Sequence, residues 1–170
     1  MASDIFKIAL ACDHAGFEQL KDLKIYLQSL GHSCQNFGPD KLNPNDDYPD
    51  FVVPAAKAVA SGECQRGIII GGSGQGEAMA ANRLSGVRCA VFYGPATPRK
   101  VVDAGGRMSH DVYEIVKLSR SHNNANMLSL AARFVSTGDM KQVVRLWLET
   151  PFSQEPRHIR RNAKLDELDG

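Results

Sequence analysis

The chain carries almost no net charge: 20 basic residues stand against 19 acidic ones in a length of 170, a formal balance of +1. So even a balance supplies no global field for a nucleic acid or an anionic membrane, and any anion site has to be built locally. The four cysteines, Cys12, Cys34, Cys64 and Cys89, include no C-x-x-C pair. That excludes a zinc knuckle and reads as reduced thiols in a cytoplasmic protein. No apolar run reaches the length of a membrane span, and Met1 to Ile5 lacks the basic-then-apolar order of a secretion signal. There is no internal repeat and no low-complexity tract. What remains is ordinary globular composition, 43% hydrophobic and 23% charged. It suffices for one well-buried core and a single domain over residues 1–170.

Short β-rich runs alternate with helical stretches: Lys7 to Ala11, Phe17 to Leu30, Ser33 to Phe37, Phe51 to Ser61 and Gly67 to Ile70. The rhythm continues with Glu77 to Asn82, Val87 to Phe92, a helix ending near Ser121, Met127 to Ala131 and Met140 to Leu148. The sum predicts an α/β protein, a doubly wound sheet of about five parallel strands covered by helices. The runs Ile68-Ile69-Ile70 and Cys89-Ala90-Val91-Phe92 read as central strands buried on both faces. In such sheets ligands bind beyond the carboxyl ends of the strands. Functional residues are therefore sought at Cys12-Asp13-His14, at Gly71 to Glu77, after Phe92 and at Ala132-Arg133. Two further segments stand out, the polar loop Gly38 to Pro49 and the basic tail Arg157 to Arg161, which forms one charged face if helical.

The run Gly71-Gly72-Ser73-Gly74-Gln75-Gly76-Glu77 leaves a buried strand and opens a helix, so its N–H groups can converge on an anion or an oxyanion. A tight turn alone needs fewer than its four glycines. The dinucleotide fingerprint does not fit, because the glycines follow the third strand, and no Gly-Lys-Ser or Gly-Lys-Thr completes a Walker loop. Glu77 is either a first-turn acid complementing the helix dipole or a base beside an oxyanion loop, able to take a proton from carbon next to a carbonyl. Asp13-His14 reads as a helix cap with a surface imidazole, or as a polar group for sugar with a donor for phosphate. His122 is open between a solvated, a core and a catalytic role. Arg133, Arg157 and Arg161 read as anion ligands or, for the tail, as a solvated face.

Taken in order, Asp13-His14-Ala15-Gly16-Phe17, Asp47-Tyr48-Pro49, Gly71 to Glu77 with Ala80-Ala81-Asn82, His122-Asn123, and Arg157-His158 with Arg161 resemble the type-B ribose-5-phosphate isomerases. That family also includes galactose-6-phosphate and allose-6-phosphate isomerases, and the match runs from Lys7 to about Lys164. The resemblance implies a Rossmann-like three-layer sandwich, a homodimer or homotetramer with shared active sites, and neither metal nor cofactor. It implies ring opening by His122 assisted by Asp13, and an enediolate held by Ser73 and the amides of Gly72, Gly74 and Gly76. His14, Arg133, Arg157 and Arg161 match phosphate ligands; Tyr48 and Asn123 match sugar-site residues. Many members carry a catalytic cysteine where Gly71 stands. This chain resembles instead the branch with glycine there and a glutamate base at Glu77. A second departure is an apparent insertion, Gly94 to Ser109, which is read as a cover over the site, an extension of a subunit contact, a sensor of substrate length or an inert surface loop. The expected reaction interconverts ribose 5-phosphate and ribulose 5-phosphate. The alternatives are the same chemistry on a four- or six-carbon aldose phosphate, or a non-catalytic sugar-phosphate-binding protein.

Overall fold

The computed structural model describes residues 4–168, so Met1 to Ser3 of the segment compared with a secretion signal, and the last two residues of the expected domain, lie outside the described residues. Five strands form one sheet: β1 (Lys7–Cys12), β2 (Ser33–Asn36), β3 (Arg66–Gly71), β4 (Cys89–Phe92) and β5 (Met127–Ala131). All neighbours pair in parallel, in the order β2-β1-β3-β5-β4. Six helices accompany them: α1 (Phe17–Ser29), α2 (Pro49–Ala60), α3 (Gln75–Ala81), α4 (Glu114–Ser121), α5 (Thr137–Glu149) and α6 (Pro156–Asp166). The expected α/β class and five-stranded parallel sheet are thus observed. Among the described residues no helix is long and apolar enough to cross a membrane.

The layers follow from the apolar spacing of each helix. In α1, Phe17, Leu20, Leu23 and Leu27 share one buried face and pack with α5, whose Met140, Val143, Val144, Trp147 and Leu148 do the same. On the other side of the sheet Val52, Ala55, Ala56 and Val59 of α2 join Ala81 of α3. Ile68, Ile69 and Ile70 of β3 are fully buried between the two layers. Each such side chain contributes about 1.5–3 kcal/mol of burial free energy, which fixes β3 as the centre.

The reading of Cys89 to Phe92 as a central strand is corrected. β4 is an edge, and Cys89, Ala90 and Val91 are only half-buried. An apolar run reports burial of side chains on the faces, whereas position in the sheet depends on pairing across the chain. Here β5 inserts between β3 and β4, a non-local event that a local pattern does not carry. The open side of β4 is partly closed by Asn82, whose Oδ1 accepts from the Cys89 N–H at 2.8 Å while its Nδ2 donates to the Cys89 carbonyl at 2.9 Å.

Residues 94–109 form neither helix nor strand. Arg107 ties this segment to α4, its Nη2 donating to Oε1 of buried Glu114 at 2.6 Å. Ser109 Oγ donates to the other Glu114 oxygen at 2.8 Å.

Candidate active site

The chain leaves β1 in one direction to form β2 and returns on the other side as β3, so the order of strands reverses between β1 and β3. A crevice opens at that switch point, beyond the carboxyl ends of the two strands. Asp13 and His14 leave β1 there, and Gly71 to Glu77 leave β3 beside them, with Cys12 and Ile70 in register. Asp13 caps the short turn His14–Gly16, its Oδ1 accepting from the Ala15 N–H at 2.9 Å. Gly16 rests on Ile70, where a Cβ would fall 2.7 Å from the isoleucine side chain. That close approach presses the Asp13-His14 corner onto the end of β3.

The glycine loop is shaped from below. Gly74 has φ +73°, and a Cβ on it would come within 3.0 Å of Ser129 Oγ and 3.1 Å of the Leu130 backbone. Ser129, buried in β5, donates to the Gly74 carbonyl at 2.6 Å and so ties the loop to the sheet. Ser73 Oγ accepts from the Gln75 N–H at 3.3 Å. The absence of a side chain at Gly76 admits the Tyr48 ring, since a Cβ there would stand 2.9 Å from the phenolic oxygen. Arg133, exposed after β5, donates its N–H to the Gly72 carbonyl at 3.1 Å, and its guanidinium lies against Gly72. Asp13, His14, Tyr48, Gly72, Ser73, Gly74, Gly76, Glu77 and Arg133 therefore share one end of the sheet.

Glu77 is 4% exposed although it lies in the first turn of α3. Burial raises its carboxyl above the ordinary carboxylate range. The N–H of its own residue opposes the shift, and the charge of Asp13 adds to it. Desolvation thus outweighs the hydrogen bond. The carboxylate fills the space beside Gly71: a Cβ built on that glycine would lie 1.7 Å from Glu77 Oε1.

The remaining residues of the expected site lie elsewhere. His122 ends α4 and precedes β5, so it sits at the amino end of a parallel strand whose carboxyl end carries Arg133. The length of β5, on the order of 15 Å, separates the two ends. Around His122 are Asn123, exposed in the same turn, and α6, which begins after α5 has run back to this end. The His122 and His158 rings are tilted with centroids 4.1 Å apart, and His158 Nδ1 is 2.8 Å from Ser153 Oγ. Burial, then His158 and Arg157, lower the His122 imidazole below its usual value, with Glu155 and Asp103 opposing. Arg157 pairs with Glu155 at 2.7 Å, and Arg161 is exposed on the same helix. Among the described residues no hydrogen bond or salt bridge joins this group to Asp13 or Glu77, so one chain alone does not bring His122 to Asp13.

Four contributors are absent from the sequence reading: Asp46, Ser129, Arg120 and His158 as a neighbour of His122. Ser129 had a signal, being the one hydroxyl in the otherwise apolar buried strand Met127–Ala131. Arg120 is buried at 3% exposure and donates to the Ala125 carbonyl at 2.6 Å and Asn124 Oδ1 at 2.9 Å. It shapes the turn in which Asn124 takes φ +46° and His122 and Asn123 are displayed. Burial lowers its guanidinium to about 10. Asp13, His14 and Asp46 bring one ligand-type atom each within 4.8 Å of one another. His14 Nδ1 and Asp46 Oδ1 lie 2.7 Å apart, a hydrogen-bonded pair. A cavity of about 600 Å³ lies away from the glycine loop, lined by Asn82, Arg83, Arg88, Cys89, Asn123 and Leu165 among others. It holds none of the acid–base groups of the β1/β3 crevice.

A parallel sheet with titratable groups and a glycine loop at its switch point defines a doubly wound α/β protein built to handle a small polar ligand. The family described as Ribose/Galactose Isomerase matches residues 8–104 and 100–165, and the chain belongs to it. The two matched segments meet within the expected insertion. Ribose-5-phosphate isomerase B of Mycolicibacterium paratuberculosis is 32% identical over 163 residues, covering 96% of this chain and 91% of the relative. A putative sugar phosphate isomerase of Bacillus subtilis, YwlF, is 31% identical, with 96% and 97% covered. Among solved structures, a ribose 5-phosphate isomerase from Thermotoga maritima has a TM-score of 0.81 at 34% identity, with 96% and 99% covered. Ribose-5-phosphate isomerase B from Mycoplasma genitalium with bound ribulose-5-phosphate has a TM-score of 0.80 at 31% identity, with 94% and 93% covered.

Proposed function

We propose that this chain interconverts ribose 5-phosphate and ribulose 5-phosphate, with Glu77 as the proton-transfer base in place of a thiolate. The observation that carries the reading is the buried Glu77 carboxylate seated against Gly71, directly beneath the glycine loop and beside Asp13. A base that burial has made more basic is suited to removing the proton from carbon 2 of the open aldose. The electron pair left behind forms the carbon 1–carbon 2 double bond, and the aldehyde oxygen becomes an oxyanion. Ser73 and the amides of Gly72, Gly74 and Gly76 are assigned to that charge. Transfer of the carbon 2 hydroxyl proton to the carbon 1 oxygen, with return of the abstracted proton to carbon 1, turns carbon 2 into the carbonyl and carbon 1 into the hydroxymethyl group, with no oxidant or reductant. Names of relatives sharing about a third of the residues support the five-carbon substrate.

His122 is assigned to ring opening, Asn123 and Tyr48 to the sugar, and His14, Arg133, Arg157 and Arg161 to the phosphate. Because His122 and Glu77 lie at opposite ends of the sheet within one chain, the working site is proposed to form between two copies. Each copy then contributes one end to its partner in a symmetric dimer.

A second substrate reading rests on the segment 94–109, which leaves the carboxyl end of β4, the edge where ligands of such sheets bind. It would favour an aldose phosphate of another length. Turnover measured on ribose 5-phosphate, beside four- and six-carbon aldose phosphates, decides between them. No turnover on any of these, with sugar phosphate still bound, would leave a binding protein.

A further inference from the structure

We propose that Asp46 is a positioning residue that orients the His14 ring toward the phosphate of the substrate, and that the polar loop 38–49 carries it there. Asp46 Oδ1 accepts two hydrogen bonds from His14, one from the backbone N–H at 3.1 Å and one involving ring Nδ1 at 2.7 Å. The two residues are 32 positions apart, so the pairing is tertiary and ties the loop to the end of β1. The Asp46 side chain is 6% exposed while that of His14 is 30% exposed, so the carboxylate lies behind the ring and the ring faces outward. Asp46 Oδ2 is buried without a protein partner, so its charge is not spent on a cation of its own. Asp13 Oδ2 lies 3.9 Å from the same Nδ1 and adds a second negative charge behind the ring.

The chemistry of imidazole gives this arrangement a direction. A carboxylate at Nδ1 fixes the proton on that nitrogen. In the neutral ring Nε2 would then carry only a lone pair, which repels a phosphate oxygen. When the ring is protonated Nε2 carries a hydrogen and can donate to a phosphate oxygen. With Nδ1 engaged by Asp46, Nε2 is the ring nitrogen left to face the phosphate. Asn43, Asn45, Asp46 and Asp47 lie in the polar loop Gly38 to Pro49; the pairing with His14 brings one of these acids to the proposed anion site.

This inference rests on the isomerase reading only in taking phosphate as the handle of the substrate, so its test uses inorganic phosphate as the probe and needs no turnover. Titration of the full chain with inorganic phosphate gives one dissociation constant for wild type and one for Asp46→Asn, which keeps an oxygen acceptor for both His14 contacts but removes the charge. About a tenfold weakening is expected, as for loss of charge assistance in one hydrogen bond. In a His14→Ala background the Asp46→Asn change should have no further effect, because the residue acts through the ring. With ribose 5-phosphate, Asp46→Asn should raise KM by a larger factor than it lowers kcat. Asp46→Glu, which restores the charge, should recover part of the lost phosphate affinity.

Unchanged phosphate affinity in a folded Asp46→Asn protein would reduce Asp46 to a loop tether and overturn the proposal. So would an equal loss in the His14→Ala background. Loss of phosphate binding in EDTA, restored by a divalent cation, would reassign Asp13, His14 and Asp46 to a metal and also overturn it. A chain that shows the Asp46 effect on phosphate but turns over no aldose phosphate would sink the isomerase reading and leave this one standing.

Discussion

The Glu77 carboxylate occupies the space in which a side chain at position 71 would begin: a Cβ on Gly71 would lie 1.7 Å from Oε1 and 2.0 Å from Cδ of Glu77. A residue larger than glycine at 71 and a carboxylate seated at 77 exclude each other. Gly71→Ala should therefore expel the carboxylate and lower kcat on ribose 5-phosphate about as far as Glu77→Gln does, on the order of 10²–10⁴-fold. Combining the two changes should cost little beyond either alone, because both remove the same group. Full activity in Gly71→Ala would show that the seat of the carboxylate is immaterial.

Removal of the Glu77 charge should also stabilise the fold, with a defined pH dependence. Its folded-state value is raised above the ordinary 4.5, so between 4.5 and that raised value the folded chain holds a proton that the unfolded chain has released. Wild-type stability consequently falls as pH rises through this window and does not recover above it. Glu77→Gln escapes the loss. Thermal unfolding should give a Tm advantage for the variant that is small near pH 4.5 and grows toward pH 8. The acid limb of wild-type kcat should lie above the ordinary carboxylate range, since the base must be ionised. A variant less stable than wild type at pH 8 would contradict the burial argument.

Thiol reagents should leave turnover largely intact. Cys12 is buried and pushed up to about 12, first by burial and then by the charges of Asp13 and Asp46. Cys89, partly exposed as a residue, packs against the core of the α2 and α3 layer and is likewise pushed up to about 12 by burial and by Glu77. Neither supplies thiolate at neutral pH. Iodoacetamide treatment followed by assay on ribose 5-phosphate checks this, and substrate-protected inactivation would point to an essential thiol.

The opposite-end placement of His122 and Glu77 gives a test of the shared site. Glu77→Ala and His122→Ala chains, each inactive, are unfolded and refolded together. In a mixed dimer one site collects both defects and the other collects neither. With random pairing roughly half the dimers are mixed and about a quarter of all sites are intact. Recovery to about a quarter of wild-type activity is expected. Activity no higher than in the separate variants, with mixed dimers verified, would place both residues in one chain.

Legibility in the sequence followed the range of the physics involved. Strands and helices came from local periodicity: the apolar runs of β3 and β5 and the spacing of Leu20, Leu23 and Leu27 each report one element. The glycine loop was legible because its composition exceeds the needs of a turn. The edge position of β4 was not, because pairing order is set by contacts between distant segments. Asp46 was not, because an acid between Asn45 and Asp47 is indistinguishable by type from a solvated one; its partner lies 32 residues away. The separation of His122 from Glu77 was implicit in chain order, one preceding its parallel strand and the other following one. It becomes explicit only when β3 and β5 are seen to be neighbours.

The amide of Asn82 has a consequence beyond closing one face of the sheet. By presenting one acceptor and one donor to the backbone of Cys89, it imitates a single residue of a further strand and then stops. A foreign strand seeking to extend the sheet at this end would have to displace two short hydrogen bonds before making its first. A side chain at the end of α3 thus withdraws part of the exposed edge from aggregation, and it does so without a charge that β4 would have to solvate.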